Sequence, residues 1–88
     1  MKKTIYSGEA EIFRAMLREA REKAGLSQSA LATKLGTYQP FVARVETGER
    51  RLDFMECLHF LRTLGISPVS FMRRFETRVK ANGGAGRP

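Results

Sequence analysis

Apolar residues recur at helical spacing in five separate runs, and no run alternates in the two-residue period of a strand. Over residues 8–24, Ile12, Phe13, Met16, Leu17, Ala20 and Ala24 fall within an arc of roughly 140° at 100° per residue, which predicts a first helix with that face in the core. Ser7 is placed to cap it, and Glu9 and Glu11 sit where a helix dipole favours negative charge. Gly25 should end the helix and let Leu26 turn back to the core. Ser27 then caps a second helix over 28–35, where Leu31 and Leu35 make one stripe. After a turn at Gly36, Thr37 and Tyr38, a third helix over 39–47 carries Pro40 in its first turn and the stripe Val42 and Val45. Ala32 is small enough for these two short helices to approach closely, and Gly36 accepts the positive φ that ends the first of them.

Gly48 ends the third helix, and Asp53 can cap a fourth that runs to residue 64. Its apolar face is wide, because Phe54, Cys57, Leu58, Phe60, Leu61 and Leu64 span roughly 160°. Part of that surface is available to a second subunit. Ser67 and Pro68 start a fifth helix, with Phe71, Met72, Phe75 and Val79 on one side and Arg73, Arg74 and Arg78 on another. The whole is expected to be an all-α, compact five-helix domain over residues 8–80. Residues 1–7 should form a flexible arm, and 81–88, ANGGAGRP, a disordered basic Gly-rich tail.

With 88 residues, 42% of them apolar, the chain has material for one small core and not for two. Its formal charge of +7 favours a polyanionic partner, but residues 9–66 hold nine basic and eight acidic side chains. The helical region is therefore nearly neutral, and the direction in which individual arginines point matters more than the total. One Cys excludes an internal disulfide and a cysteine zinc cluster. Cys57 reads as a small buried side chain, and His59 as exposed, with no second His to share a metal. No apolar run spans a membrane, and MKKTIYSGEAE has no apolar segment behind its lysines, so a cytoplasmic protein is expected. A single His and scattered carboxylates supply neither a nucleophile with its base nor a paired acid, which argues against an enzyme and against a cofactor. Arg73, Arg74, Arg78 and Lys80 read first as a solvated face.

The ordered series LREAREKAGLSQ at 17–28, the small-residue and Gly turn within QSALATKLGTYQPFVARVE at 28–46, RVETGERR at 44–51 and FLRTLGISP at 60–68 resembles the helix-turn-helix family of Cro and the lambda-type repressors, also called the xenobiotic-response-element family. The resemblance covers about fifty residues, from Leu17 to Ile66. It implies a lambda-repressor-like DNA-binding fold with the helix-turn-helix at 28–47 and the third helix in the major groove. Carried over position by position, base contacts fall on Tyr38, Gln39, Pro40, Ala43 and Arg44, and phosphate contacts on Gln28, Thr47, Arg50 and Arg51. Gln39 matches the N6 and N7 edge of adenine, and Arg44 the O6 and N7 edge of guanine. Pro40 and Ala43 stand where relatives often carry polar side chains, which leaves fewer groups for base readout. Arg21 and Glu46 match a structural ion pair between the first and third helices.

The function implied is a sequence-specific regulator of double-stranded DNA, a repressor acting as a homodimer on a palindromic operator, with no small-molecule ligand. Two alternatives stand beside it. One is an antitoxin or other protein-interaction module, with a toxin-like partner, that also binds its own promoter. The other is nucleic-acid binding without sequence preference, through the basic ends of the chain.

Overall fold

In a computed structural model that describes residues 4–82, with side chains from residue 8 onward, the described residues form five α-helices and no strand. They are α1 (Thr4–Lys23), α2 (Gln28–Leu35), α3 (Gln39–Thr47), α4 (Phe54–Thr63) and α5 (Pro68–Ala81). The fold class expected from the sequence is the one observed. Residues 1–3 and 83–88 lie outside the described residues, and with them the start of the expected arm and most of the expected tail.

Local chemistry fixes the helix ends. Ser27 Oγ accepts from the Ala30 amide at 3.0 Å and so starts α2. Asp53 Oδ1 accepts from the Glu56 amide at 2.7 Å while Glu56 Oε1 accepts from the Asp53 amide at 2.9 Å, a reciprocal capping box that starts α4. Between α2 and α3 the chain reverses at Gly36, whose φ of 82° a residue with a Cβ adopts only at a cost. The Thr37 amide then reaches the carbonyl of Ala32 at 2.9 Å, closing the turn.

Leu17, Leu31, Ala32, Val42, Val45, Phe60 and Leu61 are each at most 2% exposed and make the centre of one core. Each of the leucines, fully buried, contributes about 1.5–3 kcal/mol. Helix α2 lies against α3, α1 crosses α3 and also packs on α5, and α4 closes the base beneath α2. Phe13 of α1 meets Phe71 of α5 edge to face, with ring centroids 6.0 Å apart. The short pair α2 and α3 is thereby held on three longer helices.

Five positions depart from the sequence reading. Helix α1 begins at Thr4, so Ser7 lies within the helix and not at its start, and residues 4–7 are helical where an arm was expected. Ala24 is exposed because α1 ends at Lys23 and the chain turns at Gly25, which rotates it off the core-facing stripe. Phe54 is 67% exposed, since it opens α4 before that helix reaches the core, and Met72, at the margin of the α5 stripe, is 55% exposed. Cys57 is half-buried and not fully enclosed, and burial pushes its thiol pKa up, away from a reactive thiolate.

Candidate nucleic-acid interface

Helix α3 presents its outer side to solvent because its stripe of Val42 and Val45 is fully used by the core. Tyr38 caps it through backbone geometry alone, makes no side-chain cap bond and is 80% exposed. Gln39, Pro40, Arg44 and Thr47 are exposed as well, and Ala43 is half-buried. Tyr38, Gln39, Pro40, Ala43 and Arg44 thus share the exposed start and outer face of one short helix.

Behind that face runs a chain of side-chain hydrogen bonds into the core. Arg21 is 8% exposed, and its Nε and Nη2 donate to the two oxygens of Glu46 at 2.7 and 3.1 Å. Its Nη1 donates to the Leu26 carbonyl at 2.8 Å, so the guanidinium is satisfied on three sides and its pKa is raised, chiefly by the bond to Glu46. Glu46 Oε1 also accepts from Gln28 Nε2 at 2.9 Å. Gln28 Oε1 in turn accepts from Gln39 Nε2 at 2.8 Å. The exposed amide of Gln39 is therefore oriented through three partners by a buried ion pair. It keeps its carbonyl oxygen and one N–H free, the pair of groups that the edge of adenine requires.

The loop from Gly48 to Leu52 is less open than its sequence suggests. Arg50 donates to Glu56 from Nη2 at 2.7 Å and from Nη1 at 3.2 Å, lies over the Phe41 ring at 5.0 Å, and also contacts the Arg51 carbonyl. Its bond to Glu56 raises the pKa of Arg50 and lowers that of Glu56. One carboxylate thus serves two ends, holding Arg50 and completing the cap of α4. Thr47 Oγ1 donates to the Arg44 carbonyl at 3.2 Å, so its hydroxyl proton is turned into its own helix. Arg51 is exposed, and among the described residues it forms no ion pair. Arg44 approaches Glu49 only loosely, at 3.9 Å, with both side chains well exposed.

Sequence reasoning placed Gln28 and Gln39 in different roles and missed the bond between them, which depends on how α2 and α3 cross. It also missed Glu56, although the spacing Asp53-x-x-Glu56 is the signature of a capping box. Among the described residues no group of His, Cys, Asp or Glu could hold a metal ion, and no helix is long and apolar enough to cross a membrane.

A family model described as a helix-turn-helix domain matches residues 12–71. Among solved structures, the chain is similar to an XRE-family like protein from Pseudomonas syringae pv. tomato str. DC3000. The two are 38% identical, the match covers 86% of this chain and 93% of the other, and the TM-score is 0.80. A comparison with curated proteins gave no match. With the geometry of α2 and α3 described above, these likenesses make the chain a member of the helix-turn-helix domain family in its XRE, or Cro-type, form, a family of DNA-binding regulators.

Proposed function

We propose that the protein is a transcriptional repressor that binds a two-fold DNA operator as a homodimer, with α3 in the major groove. The observation that carries this reading is Gln39: it stands exposed at the start of α3 yet is held by the bonds through Gln28 and Glu46 to Arg21. A side chain fixed in advance loses less freedom on reading a base. In this arrangement Gln39 reads adenine and Arg44 guanine, while Tyr38, Pro40 and Ala43 pack against the base edges and the thymine methyls. Gln28, Arg50 and Arg51 set the register on phosphates, and Thr47 joins them by turning its hydroxyl proton from the Arg44 carbonyl to a phosphate oxygen. Arg50 does so while still held by Glu56, through the edge of its guanidinium not engaged there.

Dimerisation has a physical reason, since one such module touches few base pairs and a second copy doubles the contacts. Phe54, Met55, Val69 and Met72, large apolar side chains 55–67% exposed near the starts of α4 and α5, give a second copy apolar surface to cover. The half-sites then lie about one helical turn apart, roughly 34 Å centre to centre. Such a regulator works in the cytoplasm, beside the DNA it controls. Selection of genomic fragments by the protein, followed by sedimentation of the selected complex, tests this. Two protomers on a sequence with two-fold symmetry is the expected result; a single protomer on an asymmetric site would sink the dimer.

One feature favours a second reading, a protein-interaction module that also binds its own promoter. A groove of about 900 Å³ lies between α1 and α5, with Met16, Leu64 and Ile66 on its floor and Lys23, Arg73 and Arg74 at its rim. It suits an acidic segment of a toxin-like partner. Under that reading, Lys23→Ala/Arg73→Ala weakens binding of the product of an adjacent gene and leaves DNA binding unchanged; equal affinity in wild type and variant would remove it.

A further inference from the structure

Arg14, Leu17 and Arg21 lie three and four residues apart and form one stripe of α1, the stripe that faces α3. Leu17, in the middle, is 1% exposed. The two arginines at its ends have opposite surroundings. Arg21 is enclosed and bound by both oxygens of Glu46. Arg14 is half-buried, and among the described residues it has no carboxylate within 4.0 Å and no hydrogen bond.

The Arg14 guanidinium nevertheless has a distinct neighbour. It lies over Gly48, the residue that ends α3, so closely that a Cβ on Gly48 would stand 2.9 Å from its Cζ, 3.0 Å from Nη1 and 3.1 Å from Nε. Gly48 thus has two reasons to be glycine. The first is its φ of 91°; the second and weaker is the Arg14 guanidinium, which as the end of a flexible side chain would have to shift by a few tenths of an ångström to admit a Cβ. Gly48 directly follows Thr47 and precedes the loop of Arg50 and Arg51 by one residue. Arg50 is committed in part to Glu56, and the Thr47 hydroxyl proton to Arg44. Among the described residues, Arg14 is the cation in this neighbourhood that lies against another helix end and has no carboxylate within 4.0 Å.

We propose that Arg14 is a phosphate-binding residue, reaching from α1 over Gly48 to the DNA backbone strand that passes the end of α3. This rests on the reading of α3 as a groove-bound helix and adds to it a contact from α1, outside the helix-turn-helix. The residue is half-buried, and the guanidinium N–H groups match the paired oxygens of a phosphate. The alternative is purely structural: a cation near the carbonyl end of α3 that favours the helix dipole.

Salt dependence separates the two. Arg14→Ala, Arg14→Lys and wild type are compared on a duplex that wild type selects, at about 50 and 200 mM salt, well below the melting temperature of each. Losing one phosphate contact lowers the salt slope by about 0.9, so the advantage of wild type over Arg14→Ala shrinks about 3.5-fold across that range. The weakening is uniform across duplex sequences, and Arg14→Lys, which keeps the charge, keeps the wild-type slope. An Arg14→Ala slope equal to that of wild type overturns the proposal, whatever happens to the melting temperature. If wild type itself selects no duplex, the reading of α3 has failed first, and a salt titration on random duplex still shows whether Arg14 meets a phosphate.

Discussion

Glu46 joins the core to the proposed reading head, and its removal has a calculable effect. Its side chain is 5% exposed and that of Arg21 10%, with the closest approach 2.7 Å. In Glu46→Ala the guanidinium of Arg21 keeps the Leu26 carbonyl, at 2.8 Å, and a loose approach to the exposed Glu22 carboxylate at 4.0 Å, and so loses its hydrogen-bonded counter-charge. An uncompensated buried charge of this kind costs about 3–5 kcal/mol, whereas an exposed pair is worth about 1 or less. Against the total of about 5–15 kcal/mol usual for a small domain, that is a large fraction. The melting temperature falls by about 4–8 °C for each kcal/mol lost. Gln28 loses one partner too, but it is only half-buried and water can replace the bond, so it adds little. Urea unfolding followed by helical circular dichroism measures the loss. The double variant Arg21→Met/Glu46→Leu, which removes both charges and fills similar volume, should cost much less than the two single variants together. A loss below about 1 kcal/mol in Glu46→Ala, or single effects that simply add, would refute the claim that this pair behaves as a buried one.

Two further outcomes follow from named residues. Gly36→Ala meets no neighbour, since nothing lies within 4 Å of the added Cβ, so its cost is the left-handed backbone alone, about 1–2 kcal/mol by chemical denaturation. The Glu19 carboxyl is held below its ordinary value of 4.5, first by its hydrogen bond to Arg78, and Glu56 is lowered likewise by Arg50. Groups with depressed folded values stabilise the protein above their unfolded pKa and lose that contribution as pH falls through the folded value. The urea midpoint should therefore drop below pH 4.5, and Glu19→Gln/Glu56→Gln should flatten that drop; an unchanged acid profile would contradict it.

How much of this was legible in the sequence follows from the range of each interaction. Helix existence and type were readable throughout, because stripes such as Leu31 with Leu35 and Val42 with Val45 are set by spacing within one element. Caps at Ser27, Asp53 and Ser67 were readable for the same reason, each acting within three residues. The start of α1 was not. Ser7 offered a local cap, but the helix continues to Thr4, and a capping residue is only a preference that its neighbours can override. Met72 shows the limit of a wheel, which gives a residue's direction but not where the neighbouring helix ends. At the candidate interface, exposure of Gln39 and Arg44 was legible from the positions of Val42 and Val45. The bond from Gln39 to Gln28, the seat of Arg14 over Gly48 and the capture of Arg50 by Glu56 were not, since each depends on the angle at which two elements meet.

The central claim is that α3 reads base sequence while the loop behind it holds phosphate. The most direct test is binding of wild type, Gln39→Ala/Arg44→Ala and Arg50→Ala/Arg51→Ala to a genomic fragment library at two salt concentrations. The account predicts that the α3 variant loses the selected site but keeps weak, salt-sensitive binding, and that the loop variant weakens all fragments alike with a shallower salt slope. An α3 variant that still selects the wild-type site, or a wild type that selects none, would contradict it.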